Sequence, residues 1–253
     1  MKSYAKINWS LRITGRRADG FHDLETVFQT ISLHDELTFT PAEAMSLSCD
    51  DAGIPVDSSN LVLRAARAVD APPTAIHLRK RIPAGGGLGG GSSNAAMTLM
   101  HFGRDRDDLA QLALSLGSDV PFFLIGGTAY ATGRGEVLTP LPPMHGIPLL
   151  LLLPEERVLT KDAFARVTHY SQPLGIDAYA RGFESFTNDF EEPVFAMLPR
   201  LRELKERLLA SGAAWASMTG SGSTIVGAFA NAAARDAAAT QFSDVRVERA
   251  ETL

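Results

Sequence analysis

The sequence has a single cysteine, no excess of basic residues and no long apolar run, and each absence excludes a class of protein. Cys49 alone can form no intrachain disulfide and no thiolate metal site. The net charge is −5 and no dense basic stripe exists, which argues against nucleic acid as a partner. The longest apolar segment, residues 147–154, is bounded by prolines and is far too short to cross a bilayer, so it predicts a buried strand.

The remaining composition is that of a globular protein without a membrane partner. The 253 residues are 45% hydrophobic and 21% charged, and this length accommodates one large domain or two ordinary ones. Residues 140–148 are rich in proline and form the best linker candidate, so we predict domains at 1–143 and 144–253. No signal or transit peptide pattern is present, and we expect a cytoplasmic protein. No apolar stripe stands out, and we expect a monomer or a weak homodimer.

Residues 85–91 read GGGLGGG, which is the most informative segment of the chain. Residues 76–82 alternate like a strand, residues 92–94 all favour a helix N-cap, and the apolar run 95–100 has helical character. A strand, a glycine loop and a helix N-terminus together form a phosphate-binding arrangement. The basic cluster at 79–81, directly before the loop, also favours a bound small anion.

Three other interpretations of this loop are weaker. A flexible Gly/Ser linker is not flanked by periodic elements, whereas this segment has a predicted strand before it and a predicted helix after it. The glycine spacing of the ATPase P-loop is present at 86–91, but Ser92 stands where that motif requires lysine. The dinucleotide-binding spacing fits residues 85–90, but it also requires an acidic residue at the end of a second strand. The acidic residues at 105–108 lie instead in a charged stretch that opens a helix.

Hydrophobic periodicity predicts both helices and strands, with a β-rich N-terminal part and a turn at Asp19-Gly20. The predicted helices are 61–69, 95–100, 107–116, 191–210 and 232–242. The predicted strands are 24–39, 76–82, 122–131, 147–154, 213–218, 224–230 and one that begins at 245. The alternation after residue 148 predicts an α+β second domain with helices on one face of its sheet.

Three blocks, residues 5–8 (AKIN), 83–96 (PAGGGLGGGSSNAA) and 218–224 (MTGSGST), resemble the GHMP kinases in order and spacing. These are ATP-dependent kinases of small molecules that have no P-loop. The resemblance implies an α+β protein with the two-domain GHMP kinase fold. Its N-terminal domain would be α/β and ribosomal-protein-S5-domain-2-like, and its C-terminal domain would be ferredoxin-like α+β.

Four further blocks resemble the branch of this family that phosphorylates 4-diphosphocytidyl-2-C-methyl-D-erythritol. They are residues 15–22 (GRRADGFH), 60–66, 117–124 and 188–191. The resemblance implies transfer of phosphate from ATP to the 2-hydroxyl of that substrate, giving the 2-phosphate and ADP, in the non-mevalonate isoprenoid pathway. It also implies Mg²⁺ bound with ATP. No carboxylate cluster in the sequence indicates a dedicated metal site, and no metal ligand is predicted.

The resemblance assigns catalytic roles to Lys6 and Asp119. Asp119 corresponds to the acid/base of the family, and a nearby cation at Lys6 would keep it ionised and offset charge on the transferred phosphoryl group. Asn8 lies two residues after Lys6, so on a strand it shares the same face and adds an amide donor. Without the resemblance, an ordinary turn aspartate and a surface lysine on an edge strand would be favoured.

The same resemblance implies how the two substrates are bound. Phe21 would stack on cytosine, His22 would hydrogen-bond its edge, and Phe164 would close the other side, with Thr160 in the same block. The ATP-binding residues would be Asn60, Pro83, Ala84, Gly85, Gly86, Gly87, Leu88, Gly89, Gly90, Gly91, Ser92 and Ser93. The glycine turn at 220–223 would support the phosphate loop. Without the resemblance, residues 21, 22 and 164 would be interpreted as ordinary loop residues or apolar helix residues, with no role in binding.

Some features depart from the family pattern and leave alternatives open. Phe21 replaces a frequent tyrosine, Ala84 a frequent methionine and Trp9 a frequent leucine. Relative to the family, the chain is expected to be shortened within residues 45–75, on the side of the site that would bind adenine. The nearest alternative is a GHMP kinase for mevalonate or homoserine. A catalytically silent nucleotide-binding protein and a dinucleotide-dependent oxidoreductase are more distant alternatives.

Overall fold

The computed structural model describes the backbone of residues 1–253 and all side chains except those of residues 180, 181 and 184. The chain divides into two compact units. The first unit contains residues 1–5, 34–84 and 89–126, and the second contains residues 6–33, 85–88 and 127–253. The predicted domain boundary between residues 143 and 144 stays a prediction. Among the described residues, no helix has the length and apolar character needed to cross a membrane.

The structure contains ten strands and eight α-helices. The strands are β1 Lys2–Arg16, β2 His22–Pro41, β3 Ser46–Cys49, β4 Thr74–Arg79, β5 Thr128–Thr132, β6 Val137–Pro140, β7 Pro148–Leu153, β8 Trp215–Met218, β9 Ile225–Ala228 and β10 Arg246–Glu251. The helices are α1 Leu61–Ala68, α2 Gly90–Gly103, α3 Leu109–Leu116, α4 Val120–Ile125, α5 Thr160–Ala165, α6 Glu191–Met197, α7 Pro199–Ala210 and α8 Ala232–Ala239. Two 3₁₀ segments are Ile176–Arg181 and Phe183–Ser185.

The first unit packs helices against one face of a small sheet. The C-terminal part of β2 pairs antiparallel with β4, from Glu36 opposite Arg79 to Pro41 opposite Thr74, and β3 pairs parallel with β4. Alternate residues of these strands point to the same face, and those facing α1 are apolar. The resulting core consists of Leu37, Leu47, Val62, Ala66, Ile76 and Leu78. The structure thereby confirms the strand predicted at 76–82 and the helix predicted at 61–69.

The second unit contains a four-stranded antiparallel sheet in the order β10-β7-β9-β8. Because the chain runs β7, helices, β8, β9, α8, β10, this order gives the ferredoxin-like arrangement that the resemblance implied. β7 lies between two neighbours, and Leu149, Leu150, Leu151 and Leu152 are fully buried. The apolar run at 147–154 is therefore a central strand, as predicted.

The N-terminal hairpin of the second unit carries the residues that matter for the site. β1 pairs with β2, and residues 26–29 of β2 pair with β5. The connecting turn is closed by a hydrogen bond from the Arg17 N–H to the Phe21 carbonyl, 2.8 Å long. The Asp19 carboxylate accepts the Phe21 N–H at 3.1 Å. The turn predicted at Asp19-Gly20 is confirmed.

The strand prediction for residues 122–131 was wrong in its first half. Residues 120–125 form α4, and the strand β5 begins only at Thr128. A short continuous apolar run carries no periodicity, so it fits a buried helix as well as a buried strand. Pro121 lies in the first turn of α4, where its missing N–H costs nothing, and it favours the helix.

The single helix predicted at 191–210 is two helices. α6 ends at Met197, and α7 begins at Pro199. Proline has no N–H to donate within a helix and clashes with the preceding turn, so the helical pattern is interrupted there. Pro199 instead occupies the first position of α7, which tolerates it.

Candidate active site

Lys6 and Asn8 form a buried polar pair on β1. Only 3% of Lys6 is exposed, and its Nζ donates a 2.7 Å hydrogen bond to Oδ1 of Asn8. The Lys6 ammonium also lies 5.3 Å from the centre of the Phe28 ring. Burying an ammonium group is costly unless polar partners offset the lost hydration. Lys6 is therefore not a surface lysine, and the prediction that it shares a strand face with Asn8 is confirmed.

Two threonines fix the orientation of Asn8. Sequence reasoning missed Thr26 and included Thr219 only as part of the block 218–224. The Asn8 Nδ2 donates to Oγ1 of Thr26 at 2.8 Å, and the Asn8 backbone N–H donates to Oγ1 of Thr219 at 3.0 Å. The Thr26 hydroxyl in turn donates to the Ser10 carbonyl at 2.5 Å. The amide oxygen of Asn8 is thereby directed at Lys6, and the lysine head is held at one position.

The glycine turn after β8 contacts residues 86–88 of the glycine loop. The Thr219 hydroxyl donates to the Gly87 carbonyl and the Thr224 N–H donates to the Gly86 carbonyl, both at 3.4 Å. The Lys6 N–H donates to the Leu88 carbonyl at 3.0 Å. Thr219 and Thr224, which flank the turn at 220–223, therefore contact this part of the loop, and the role of the turn in phosphate binding stays a prediction.

Gly87 is required at this contact by both conformation and space. Its φ is +77°, in the left-handed region that side chains disfavour. A Cβ at this position would lie 2.0 Å from the carbonyl oxygen of Thr219, well inside van der Waals contact. The close approach of the two backbones therefore depends on the missing side chain.

The motif at 188–191 holds the same glycine turn from its other end. The Asn188 Nδ2 donates to the carbonyls of Met218 at 2.6 Å and Gly220 at 2.9 Å. The Glu191 carboxylate accepts the Met218 N–H and the Ser217 hydroxyl, each at 2.8 Å. This part of the resemblance thus corresponds to a structural clamp on the turn that contacts Gly87.

Aromatic side chains gather where the predicted nucleoside-binding residues lie in the second unit. The His22 ring stacks on Phe164 with centroids 4.6 Å apart and an interplanar angle of 13°. Phe21 is half exposed, and the Arg134 guanidinium lies 4.5 Å from the centre of its ring. Thr160 Oγ1 lies 3.0 Å from the hydroxyl of Ser221. The structure therefore brings His22 and Phe164 together, and stacking of Phe21 and Phe164 on one base stays a prediction.

The surroundings of His22 favour its neutral form over its charged form. Burial lowers the pKa of His22 below 6.5, and the positive charge of Arg16 lowers it further. A neutral imidazole has one donor nitrogen and one acceptor nitrogen, whereas the protonated ring has two donors. The neutral ring can therefore pair with both an acceptor and a donor on the edge of a base.

In the first unit, α2 begins earlier than the sequence predicted. The N-cap is Gly89, with φ +71°, and the helix starts at Gly90 instead of after residues 92–94. Ser92 and Ser93 are consequently first-turn residues, and their side chains do not cap the helix. The first N–H groups of an α-helix have no intrahelical acceptor and carry the positive end of the helix dipole. Because α2 starts at Gly90, these N–H groups belong to residues 90–92, within the segment predicted to bind phosphate.

The buried carboxylate of Asp35 organises the segment that leads into the loop, and no sequence pattern predicted this role. Asp35 forms a close ion pair with the Lys80 ammonium. It also accepts the N–H groups of Arg81 at 2.7 Å and Ile82 at 2.9 Å, and the Asn94 Nδ2 at 3.0 Å. The basic cluster at 79–81 is thus not a free anion site, because Asp35 neutralises its central residue.

The carboxylate of Asp119 stands at the start of α4. Asp119 occupies the N-cap position with φ −83° and ψ −15°, is partly buried, and does not use its side chain to cap the helix. Its backbone is fixed by the C-terminal end of α3 on one side and by Pro121 on the other. The carboxylate is therefore carried on the short connection between α3 and α4.

Among the other predicted ATP contacts, Asn60 has a structural role. Its amide oxygen accepts the Val62 N–H at 2.9 Å and caps α1. Its Nδ2 donates to the Pro55 carbonyl at 2.6 Å. The adenine contact of Asn60 stays a prediction. Near the loop, Pro83 is partly buried and Ala84 is exposed.

Known proteins that are similar in sequence to this chain are GHMP kinases. The models of the GHMP kinases N terminal domain and the GHMP kinases C terminal domain match residues 60–127 and 175–246. A 4-diphosphocytidyl-2-C-methyl-D-erythritol kinase of Prosthecochloris aestuarii is 41% identical, over 96% of this chain and 93% of its own. One of Salinibacter ruber is also 41% identical, over 92% of this chain and 91% of its own.

Solved structures agree with these relatives. A crystal structure of 4-(cytidine 5'-diphospho)-2C-methyl-D-erythritol kinase superposes with a TM-score of 0.87 at 34% identity, covering 100% of this chain and 98% of that one. The Methanococcus jannaschii mevalonate kinase superposes at 0.70 with 14% identity, over 100% of this chain and 98% of its own, and shows a shared fold alone. The two-domain GHMP kinase fold is thereby confirmed. The chain belongs to the GHMP kinase family, within its group of 4-diphosphocytidyl-2-C-methyl-D-erythritol kinases.

Proposed function

We propose that the protein transfers the γ-phosphoryl group of ATP to the 2-hydroxyl of 4-diphosphocytidyl-2-C-methyl-D-erythritol, giving the 2-phosphate and ADP. This is a step of the non-mevalonate isoprenoid pathway. The observation that carries the proposal is the buried Lys6–Asn8 pair, held beside residues 86–88 of the glycine loop. A buried ammonium with one fixed amide partner suits the stabilisation of charge on a phosphoryl group in transfer. The relatives at about 40% identity supply the substrate.

The phosphates of ATP would lie on residues 85–93. Glycines there let the backbone approach the ligand closely, and the first N–H groups of α2 offer donors with a favourable dipole. The partly exposed hydroxyl of Ser92 lies in that first turn. We propose that Mg²⁺ arrives with ATP and offsets phosphate charge. Of the described residues, no three His, Cys, Asp or Glu side chains cluster as a metal site, which fits an ion held mainly by phosphate oxygens and water.

In the transfer step, the 2-hydroxyl oxygen forms a bond to the γ-phosphorus as the bond to the oxygen of ADP breaks. Asp119 would accept the hydroxyl proton, and Lys6 would offset the negative charge on the transferred group. Asn8 would keep the Lys6 head in position through its amide oxygen. Positioning and charge stabilisation account for most of the catalysis in such reactions.

The cytidine end would be recognised by Phe21, His22, Thr160 and Phe164. Stacking of a base on an aromatic ring contributes about 1–3 kcal/mol, so two ring faces could dominate substrate affinity. Because His22 stacks on Phe164 in this structure, a base that enters between Phe21 and Phe164 must displace the imidazole from that ring. The displaced ring would then be available to hydrogen-bond the edge of cytosine.

A competition experiment distinguishes this substrate from those of other GHMP kinases. We expect free CDP to inhibit ADP release competitively against the cytidylyl substrate, and UDP to inhibit at least about tenfold more weakly. Uracil has a carbonyl where cytosine has its 4-amino donor, so it presents the wrong group to the protein. Mevalonate and homoserine serve as control substrates. Phosphorylation of either control, with no inhibition by CDP, would refute the cytidine assignment.

The binding of the cytidylyl substrate should weaken in acid because of His22. Its pKa is lowered, so the ring is neutral at pH 7 and becomes charged as the pH falls through that lowered value. The charged ring loses its acceptor nitrogen. We expect the Kd, measured by calorimetry without ATP, to be constant above about pH 7 and to rise as the pH falls below the ordinary histidine value of 6.5 through the lowered pKa of His22. His22→Asn should bind more weakly at all pH values and lose most of this dependence; an unchanged pH profile in that variant would remove His22 from recognition.

The proposal also covers the location, the oligomeric state and the domain boundaries of the protein. We place the protein in the cytoplasm, as a monomer or a weak homodimer. We also keep the predicted division into an ATP-binding domain at 1–143 and a C-terminal domain at 144–253. The two matched GHMP segments, 60–127 and 175–246, each fall within one of these ranges.

A further inference from the structure

Glu25 is a buried carboxylate for which the proposed reaction has no use. It lies on β2 three residues after His22, and only 2% of it is exposed. Burial alone would raise the pKa of Glu25, but the four hydrogen bonds that its carboxylate accepts hold the pKa below its usual value. Glu25 is therefore a buried anion, and such groups are found in proteins only when their partners are well arranged.

The four donors come from three separate parts of the second unit. Oε1 accepts the Leu174 N–H at 2.9 Å and the Tyr179 hydroxyl at 2.8 Å. Oε2 accepts the Gly175 N–H at 3.0 Å and the Tyr130 hydroxyl at 2.9 Å. Two consecutive backbone N–H groups of a segment without regular secondary structure are thus bound by one carboxylate, about 150 residues away in sequence.

Glu25 holds the end of a segment, residues 170–175, whose start lies beside the predicted nucleoside-binding residues. Tyr170 at its start is 46% exposed, and its ring centroid lies 6.2 Å from that of His22. The rings of Phe164, His22 and Tyr170 therefore follow one another in a row. The segment is also tied to β1 by a hydrogen bond from the Ser171 N–H to the Ile13 carbonyl, 2.8 Å long.

We propose that Glu25 is a positioning residue for the cytidine end of the substrate, acting by fixing residues 170–175 so that Tyr170 contacts the nucleoside. This inference rests on the proposed function. Tyrosine offers a flat face to a pyrimidine and a hydroxyl to a ribose oxygen, and a fixed backbone lowers the entropy lost when it binds. Glu25 itself touches no substrate.

The first test replaces Glu25 by Gln. The amide nitrogen then faces one backbone N–H and one tyrosine hydroxyl. The hydroxyl can turn and accept from the amide, but the N–H loses its acceptor, so one of the two bonds to residues 174 and 175 is lost and the segment is loosened. We expect the KM for the cytidylyl substrate to rise about tenfold, while kcat and the KM for ATP stay within about twofold. A purely structural role would instead lower the active fraction and leave the KM unchanged.

Tyr130→Phe is the matched control. It removes one hydrogen bond from the same carboxylate but leaves the bonds to Leu174 and Gly175 in place, so its KM should stay within about twofold of the wild type. Tyr170→Leu should raise the KM by about fivefold or more. The double variant of Glu25→Gln and Tyr170→Leu should be no worse than the more severe single variant, because both act on one contact.

Several outcomes would overturn the proposal. They are a KM in Glu25→Gln that equals the wild-type value, an equal rise in Tyr130→Phe, or fully multiplicative effects in the double variant. If Glu25→Gln does not fold, the exposed Tyr170 still decides the matter, since an unchanged KM in Tyr170→Leu removes the contact that Glu25 is said to position. A wild-type protein that does not phosphorylate the cytidylyl substrate would refute the proposed function itself.

Discussion

Replacing Asp119 by Asn is expected to lower kcat by about 10²–10⁴-fold, the usual contribution of a general acid/base. The amide has the shape of the carboxylate but cannot accept the proton of the substrate hydroxyl. Because Asp119 does not cap α4 with its side chain, the substitution removes no helix-capping bond. Binding of ATP and of the cytidylyl substrate should therefore survive. Coupled ADP-release kinetics and a binding titration with each substrate measure the two effects separately.

Asp108→Asn is the matched control for this variant. Asp108 also stands at a helix N-cap in the first unit, before α3, and its exposed carboxylate pairs with Arg106 at 2.8 Å. An exposed ion pair contributes about 0–1 kcal/mol, so this control should retain near-wild-type turnover. Near-wild-type turnover by Asp119→Asn as well would remove Asp119 from the mechanism.

Replacing Gly87 by Ala is expected to lower kcat/KM for ATP by about 10²-fold or more. The new methyl group would lie 2.0 Å from the Thr219 carbonyl oxygen, so the loop must move away from the glycine turn. A displacement of about 1 Å in a group that positions a reactant can cost about 10²-fold in rate. Steady-state kinetics with ATP varied, together with thermal unfolding of the same variant, measure the effect.

Gly85→Ala separates the collision from the backbone strain. Gly85 has φ +71°, close to the +77° of Gly87, but a Cβ there meets nothing within 4 Å. This variant therefore bears only the cost of the left-handed conformation, about 1–2 kcal/mol, and its kcat/KM should fall less than about tenfold. Equal losses in the two variants would show that strain alone, and not contact with Thr219, accounts for the requirement at Gly87.

Much of the second unit could be predicted from local pattern. The run of leucines in β7 lacks polar residues, which indicates a strand covered on both faces, and it lies in the middle of its sheet. The alternation of β2 and the turn at Asp19-Gly20 likewise follow from side-chain period and turn chemistry. These signals act over a few residues, so one sequence is enough to read them.

Local pattern failed where the signal was short or ambiguous. Residues 120–125 are all apolar, and only their packing selects a helix over a strand. At α2 the favourable caps at 92–94 were overridden, because Gly89 in a left-handed conformation lets the helix begin five residues earlier than predicted, at Gly90. A glycine at the N-cap has no capping side chain, so the start of this helix leaves no local signal in the sequence.

The sequence by itself determined the family and predicted a phosphate-binding loop and candidate catalytic residues, because these depend on residue types in fixed order along the chain. Only the tertiary structure decided that Lys6 is buried against Asn8, that Asp35 neutralises Lys80, and that Glu25 holds residues 174 and 175. A buried charge must find its partners wherever the fold brings donors and acceptors together. Those partners come from segments up to about 150 residues apart, and no local pattern in the sequence records which of them meet.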